Sequence, residues 1–304
     1  MKKMLVTGAS GFLGRRIVDF YTGTYEVFAP THGEMDITEA DGTVAFFRKY
    51  QPDFAVHCAA MSDVGMCEKE PEQSWNINVT GSINLAKASK EINAKCILCS
   101  SDQAYFTGAE SKRKSDMSQA HREDEELCPG NLYGREKLKA EQECLNINPD
   151  CVLLRLSWMY DAKPGREGEH GDLFRTLLPQ IAGAEIIKFP VHDRRGITDV
   201  SEVVKNLEKT FELLGGVYNF GSPNEKNTYE TVRQAFADAG LDPGRLGKNE
   251  EAFCGNPRNL AMCQEKINQN GIYFSSTAEG IARNLTWALN NYQIVKRYHP
   301  GGCV

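Results

Sequence analysis

Over the first 160 residues, short apolar runs alternate with amphipathic stretches, and this alternation constrains the fold more than any other feature of the sequence. "KMLVTG", "YEVFAP", "DFAVHCAA", "KCILCSS" and "DCVLLRLS" read as strands. Between them, "FLGRRIVDFY", "DGTVAFFRKYQ", "PEQSWNINVTGSINLAKASKEI" and "NLYGREKLKAEQECL" read as helices, the first placing Leu13, Ile17, Val18 and Tyr21 on one face. Pro52 stops the second helix, and Pro71 suits the first turn of the third. Such alternation calls for an α/β fold, a doubly wound parallel sheet with right-handed crossovers and helices on both faces. Beyond residue 160 the rhythm loosens. "DAKPGREGEHGD" reads as a loop, "GGVYNFGSPN" as a strand with a turn, and 229–239 and 277–292 as helices. The expected division is a first domain over 1–160, to which 193–222 return, and a smaller α/β C-terminal lobe from 161–192 and 223–304. The tail "RYHPGGCV" is expected to fray.

Composition removes several classes of function. A net charge of −6 argues against a nucleic-acid or anionic-membrane surface, and "SKRKSD" at 111–116 reads as a solvated loop. No apolar run approaches the ~18–20 residues of a membrane span, and the apolar stretch after the two N-terminal lysines is too short for a signal-peptide core. The ten cysteines are scattered, several inside apolar runs, which fits free buried thiols in the cytoplasm. Cys96 and Cys99 are three apart on a strand and therefore face opposite ways, so no redox pair is expected between them. The six histidines show no metal-ligand spacing, and no metal is expected.

"VTGASGFLG" sets Gly8, Gly11 and Gly14 at the first strand–helix junction. Gly8 permits the sharp turn, Gly11 lets backbone approach a pyrophosphate, and Gly14 lets the helix pack closely on the strand. The helix N-terminus offers its amides to the anion. The fold expected is therefore Rossmann-type, with Ser10, Phe12 and Leu13 of the same loop joining the candidate dinucleotide contacts. The end of the second strand, "FAPTH", carries no acid to hold a ribose diol. Thr31 and His32 there, with Arg15 and Arg16 after the last glycine, could accept a 2′-phosphate, so NADP(H) is favoured and NAD(H) remains an option. Asp36 and Ile37 are placed for the adenine, although Asp36 also suits a helix cap. Cys58, Ala59 and Ala60 are small enough for the cofactor to lie flat, or simply for core packing.

Tyr133 and Lys137 are spaced i, i+4 and share a helix face. A free phenol has a pKa near ~10, and an ammonium one turn away is expected to lower it toward the range useful for proton transfer. The lysine can also bond the nicotinamide ribose. Between the glycine loop and this pair lies "CSSDQAYFTG", a strand end rich in hydroxyls. Ser101 is its candidate for holding a carbonyl, with Ser100 a cofactor or backbone contact.

Together these features resemble the extended short-chain dehydrogenase/reductase superfamily, and within it the dTDP-4-dehydrorhamnose reductase family. The resemblance rests on "MDITEADGTVAFFRKYQPDFAVHCAAMSDVGMCEKEPEQSWNINVTGSINLAKA", "SSDQAY", "HREDEELCPGNLYGREKLKAE" and "LLRLSWMY". It implies Ser101, Tyr133 and Lys137 as the catalytic set, reducing a nucleotide-linked 4-keto-6-deoxy sugar. It implies Asn78 as a cofactor-side residue that supports the fold and active-site water near the lysine, and a substrate side formed by Gln103, Trp158, Arg195 and Arg258. A homodimer is the candidate assembly. Departures from the family pattern fall on the substrate side. Gln103 stands where an aromatic is usual, Gly65 where an acid is common, Ile197-Thr198 where Pro-Thr is usual, and Asn256 where an arginine is expected. The polar stretch 109–120 is also longer than the usual connection. Two other functions stay open at this point: an epimerase or dehydratase that retains NAD, and a non-catalytic nucleotide-binding subunit of the kind that regulates methionine adenosyltransferase. An intact Ser101, Tyr133 and Lys137 argue against lost chemistry.

Overall fold

The structure, a computed structural model, describes residues 1–109, 116–163, 169 and 171–291. Residues 110–115 of the basic stretch, half of the 161–172 loop and the tail from 292 lie outside the described residues. Strands β1 (Lys3–Thr7), β2 (Glu26–Phe28), β3 (Phe54–His57), β4 (Lys95–Ser101) and β5 (Val152–Leu156) alternate with helices α1 (Phe12–Tyr21), α2 (Ala40–Tyr50), α3 (Val64–Lys69), α4 (Pro71–Trp75), α5 (Gly81–Glu91) and α6 (Leu132–Ile147). Then follow β6 (Trp158–Tyr160), α7 (Leu173–Ala182), β7 (Ile187–Pro190), β8 (Asp193–Arg195), β9 (Ile197–Asp199), α8 (Val200–Leu207) and β10 (Gly216–Phe220). The chain closes with α9 (Thr228–Asp238), β11 (Leu246–Asn249), β12 (Arg258–Leu260), α10 (Glu265–Asn268) and α11 (Thr277–Asn291).

Six strands form one parallel sheet in the order β10-β5-β4-β3-β1-β2. The chain leaves β1 toward β2 and then returns to β1's other side as β3. The C-terminal ends of β1 and β3 therefore diverge into the crevice where ligands of such sheets bind. Apolar side chains cover both faces. Ile17 and Tyr21 of α1 and Val203, Val204 and Leu207 of α8 pack on one face, and Phe47 of α2 and Leu85 of α5 on the other. Each large side chain so buried contributes about 1.5–3 kcal/mol. A separate core joins Tyr160, Phe174 and Leu177 to Val232 and Phe236 of α9 and Ile281 and Leu285 of α11.

The stretch expected as one helix over 71–92 is interrupted. A π-helical turn, Asn76–Thr80, separates α4 from α5, and Pro71 does occupy the first turn of α4. The turn carries Asn78, whose amide oxygen accepts the Met61 amide at 2.9 Å while its nitrogen donates to the Met61 carbonyl at 3.0 Å and to Glu136 at 2.7 Å. Such turns recur where a side chain must be redirected. Here it ties down the segment after β3.

Candidate active site

A cleft of about 700 Å³ opens along the C-terminal strand ends, and its walls include Gly8, Gly11 and Gly14 as well as Ser101, Tyr133 and Lys137. Gly8 has a φ of +65°, and a Cβ there would stand 2.6 Å from the Ala59 amide nitrogen. A Cβ on Gly14 would stand 2.3 Å from the Gly8 carbonyl oxygen. Neither position tolerates a side chain, so the turn and the approach of α1 to β1 both require glycine. No side chain caps α1 at Gly11, which leaves the first helix amides open to an anion. Phe12, Leu13, Cys58 and Ala60 also line the cleft; Ser10 and Ala59 do not.

The opposite wall is assembled by helix α6. Asn131 caps it, accepting the Gly134 amide at 2.7 Å and donating to the Gln103 side chain at 2.9 Å. Gly134 sits so close to the strand-end turn that a Cβ would meet the Gln103 carbonyl at 2.4 Å. That approach carries Tyr133 to Ser101. Both are buried, as is Lys137, which donates from Nζ to the Cys99 carbonyl at 2.9 Å. Burial raises the Tyr133 phenol's pKa, with the Ser101 hydroxyl acting the other way. Burial lowers that of Lys137, with Cys99 and Cys58 acting the other way. Burial thus moves the phenol in the direction opposite to the lowering expected from the lysine. The phenol is held protonated, the form of a proton donor.

Several of the candidate side chains are engaged by neighbouring protein groups. Ser100 lines the cleft, and its hydroxyl donates to Glu141 at 2.5 Å. Glu141 accepts two further bonds from Arg155, at 3.0 and 2.6 Å, and Arg155 donates to Tyr105 at 2.8 Å. Each member of this ion pair is only 3% exposed, and nothing in the sequence marks either as internal. Thr31 donates its amide and hydroxyl to Glu34, both at 2.8 Å, so a turn brings an acid to a strand end that has none in its own sequence. His32 is exposed and lies 3.6 Å from Asp36, which itself caps Thr38; Ile37 is buried in the core beside Gly81. Arg16 pairs with Asp161 and Glu169, both at 2.7 Å. Among the described residues, Arg15 shows no such ion pair.

On the substrate side, Trp158 is 38% exposed on the cleft wall, with the Arg195 guanidinium 5.4 Å from its ring. Arg195 also pairs with buried Asp102 at 2.8 Å. Burial raises the Asp102 carboxyl, against the pull of Arg195 and Arg258. Asp172, which caps α7, lines the same wall and was not foreseen. Arg258 stands off the wall, bonded to Asp193 at 2.6 Å and stacked on Phe253. Asn78 is buried behind the wall, its amide committed as described above.

A glycine-bound helix terminus facing a Ser-Tyr-Lys wall across a doubly wound sheet defines an extended short-chain dehydrogenase/reductase. Residues 1–283 match the RmlD substrate binding domain family, and the chain belongs to it. It is 29% identical over 248 residues to the dTDP-4-dehydrorhamnose reductase of Mycolicibacterium smegmatis, covering 81% of this chain and 72% of that one. It is likewise 29% identical over 254 residues to methionine adenosyltransferase 2 subunit beta of Xenopus laevis, covering 78% and 72%. In fold it is similar to the crystal structure of dTDP-4-dehydrorhamnose reductase from Bacillus anthracis in complex with NADP. The TM-score is 0.77 at 23% identity, over 93% of this chain and 98% of that one.

Among the described residues, no helix is long and apolar enough to cross a membrane.

Proposed function

We propose that the chain is an NADPH-dependent reductase of a nucleotide-linked 4-keto-6-deoxy sugar, of the dTDP-4-dehydrorhamnose reductase kind. One observation carries this reading: the glycine loop and Ser101, Tyr133 and Lys137 line the same cleft. The open amides of α1 and the glycines that no Cβ could replace suit a pyrophosphate, and Lys137 suits the adjoining ribose. Bound NADPH would supply the hydride. Ser101 holds the keto oxygen by a hydrogen bond, and Tyr133 gives its phenolic proton to that oxygen as negative charge gathers there. The buried phenol is a weak acid, yet an alkoxide is a stronger base than a phenolate, so the transfer runs toward the sugar. Trp158 and Arg195 form the sugar-side wall, with residues 161–192 and 223–304 as the substrate lobe. The cytoplasm, where NADPH is made, is the place we assign to the protein, as a monomer or homodimer.

NAD(H) keeps one observation in its favour. Glu34 occupies both Thr31 donors, and a carboxylate at that point suits a ribose diol better than a 2′-phosphate. The Bacillus anthracis relative holds NADP, and NADPH is the cofactor we propose first.

The decisive assay offers dTDP-, UDP-, GDP- and CDP-4-keto sugars and follows NADPH oxidation. Turnover is expected with one of them, and Tyr133→Phe is expected to lower kcat by about 10²–10⁴-fold while NADPH still binds. Near-normal turnover by that variant refutes the assignment.

A further inference from the structure

Parallel neighbours β3 and β4 run in register, with His57 beside Leu98. The next residue on each chain is a cysteine. Cys58 and Cys99 therefore leave the sheet side by side, their sulfurs 3.7 Å apart, both half-buried and both lining the cleft. Adjacent strands lie about 4.7–4.9 Å apart, inside the ~4.4–6.8 Å Cα separation that a disulfide spans. Only the sulfurs need swing inward, to about 2.05 Å. The other cysteines behave differently. Among the described residues, Cys67, Cys96, Cys144 and Cys151 are sealed in the interior, Cys128 and Cys254 are exposed, and Cys263 is half-buried but does not line the cleft.

We propose that Cys58 and Cys99 are a reversible disulfide site in the floor of the dinucleotide cleft, oxidised by small-molecule disulfides when no dinucleotide covers it. The proposal rests on the dinucleotide reading of the cleft given above. Cys99 is the attacking sulfur. The thiol–thiol hydrogen bond, which either sulfur can donate, favours the Cys99 thiolate, helped by the Lys137 ammonium, and disfavours that of Cys58. In the first exchange the Cys99 thiolate attacks one sulfur of RSSR, and RS⁻ leaves. Cys58 then loses its proton and attacks the Cys99 sulfur, expelling a second RS⁻. One S–S bond breaks in the reagent and one forms in the protein. Two electrons pass to RSSR, and the two thiol protons end on two RSH. With the sulfurs joined, the cleft floor between Gly8 and Lys137 changes shape where the cofactor would lie. A pair shielded by its own cofactor becomes oxidisable when NADPH runs low.

The test exposes the full-length protein to oxidised glutathione with and without saturating NADPH, then alkylates free thiols and maps peptides by mass. Without NADPH, a peptide pair joining Cys58 to Cys99 and ~2 Da lighter than its reduced sum is expected. NADPH binding should fall in proportion to that cross-link, and dithiothreitol should restore both. Cys99→Ser should form no such link. Glutathione adducts confined to Cys128 and Cys254, or a link through Cys96 and Cys151, overturn the proposal. A Cys58–Cys99 link that forms equally fast under saturating NADPH overturns the shielding, and with it the placement of the dinucleotide, while leaving the disulfide itself established.

Discussion

Replacing Arg155 with Met should cost this fold more than almost any other single change, and the size follows from its surroundings. Arg155 reaches from β5 to Glu141 on α6 through two hydrogen bonds, and Glu141 in turn holds Ser100 at the end of β4. Both side chains of the pair are 3% exposed. Methionine fills much of the arginine's volume, so the loss is mainly electrostatic. Glu141 is left as a buried carboxylate with one hydroxyl for company. Breaking such a pair on one side costs about 3–5 kcal/mol, whereas replacing both partners with apolar groups is often close to neutral. With an unfolding entropy of about 2.1 cal/mol/K per residue over 304 residues, each kcal/mol is worth roughly 1.6 °C, so Tm should fall by ~5–8 °C. Urea unfolding followed by tryptophan fluorescence would measure the single variants Arg155→Met and Glu141→Met and the double variant. The double should be less destabilised than the sum of the singles by at least about 2 kcal/mol. A single-variant cost under ~1 kcal/mol, or strict additivity, would refute the reasoning. Because the pair pins α6 to the strand carrying Ser101, kcat of Arg155→Met should also drop at temperatures where it is still folded.

The remaining predictions concern the cofactor side and pH. Glu34→Gln should improve KM for NADPH several-fold and weaken NADH, since it removes a carboxylate from the Thr31 donors; an unchanged NADPH/NADH ratio would place the 2′-position elsewhere. Gly14→Ala forces a methyl to 2.3 Å from the Gly8 carbonyl, so calorimetry should find dinucleotide binding largely lost, and binding within twofold of the parent would contradict the close packing. His57 is buried between Thr7 and Ser82, and burial first, then Lys137, pushes its pKa down to about 3. Because the folded value is depressed, its stabilising effect is complete above the unfolded value near ~6.5 and is lost as pH falls toward 3, at roughly 1.4 kcal/mol per unit. Relative to His57→Gln, the parent should lose about 2 kcal/mol between pH 6.5 and 5 in urea titrations; parallel profiles would disprove this.

What the sequence disclosed was local, and what it hid was brought together by long loops. The glycine loop, the strand end at Ser101 and the Tyr133–Lys137 face are each set within a few residues, so period and spacing expose them. Glu141 and Arg155 are charges on a helix and a strand, and their residue types alone suggest solvent. Only the packing of α6 against β4 and β5 turns them inward as partners. Arg15 and Arg16 are neighbours in sequence but about a hundred degrees apart around α1. That difference sends Arg16 to acids some 150 positions away, which no local pattern reveals. Glu34 escaped notice because it lies beyond the strand end and reaches Thr31 through a tight turn. The π turn at Asn76–Thr80 has no signature in hydrophobic period; it follows from the demand that Asn78 reach Met61.

The bonds from Arg16 to Asp161 and Glu169 bear on how such proteins can be rebuilt. The helix that greets the dinucleotide is fastened to the part of the chain that follows the nucleotide-binding half. A chimera that kept residues 1–160 and borrowed a foreign C-terminal half would strand a guanidinium that is 13% exposed. The two halves are therefore not freely exchangeable modules. A workable graft has to bring acids to those two places, or trade Arg16 for a neutral side chain at the same time.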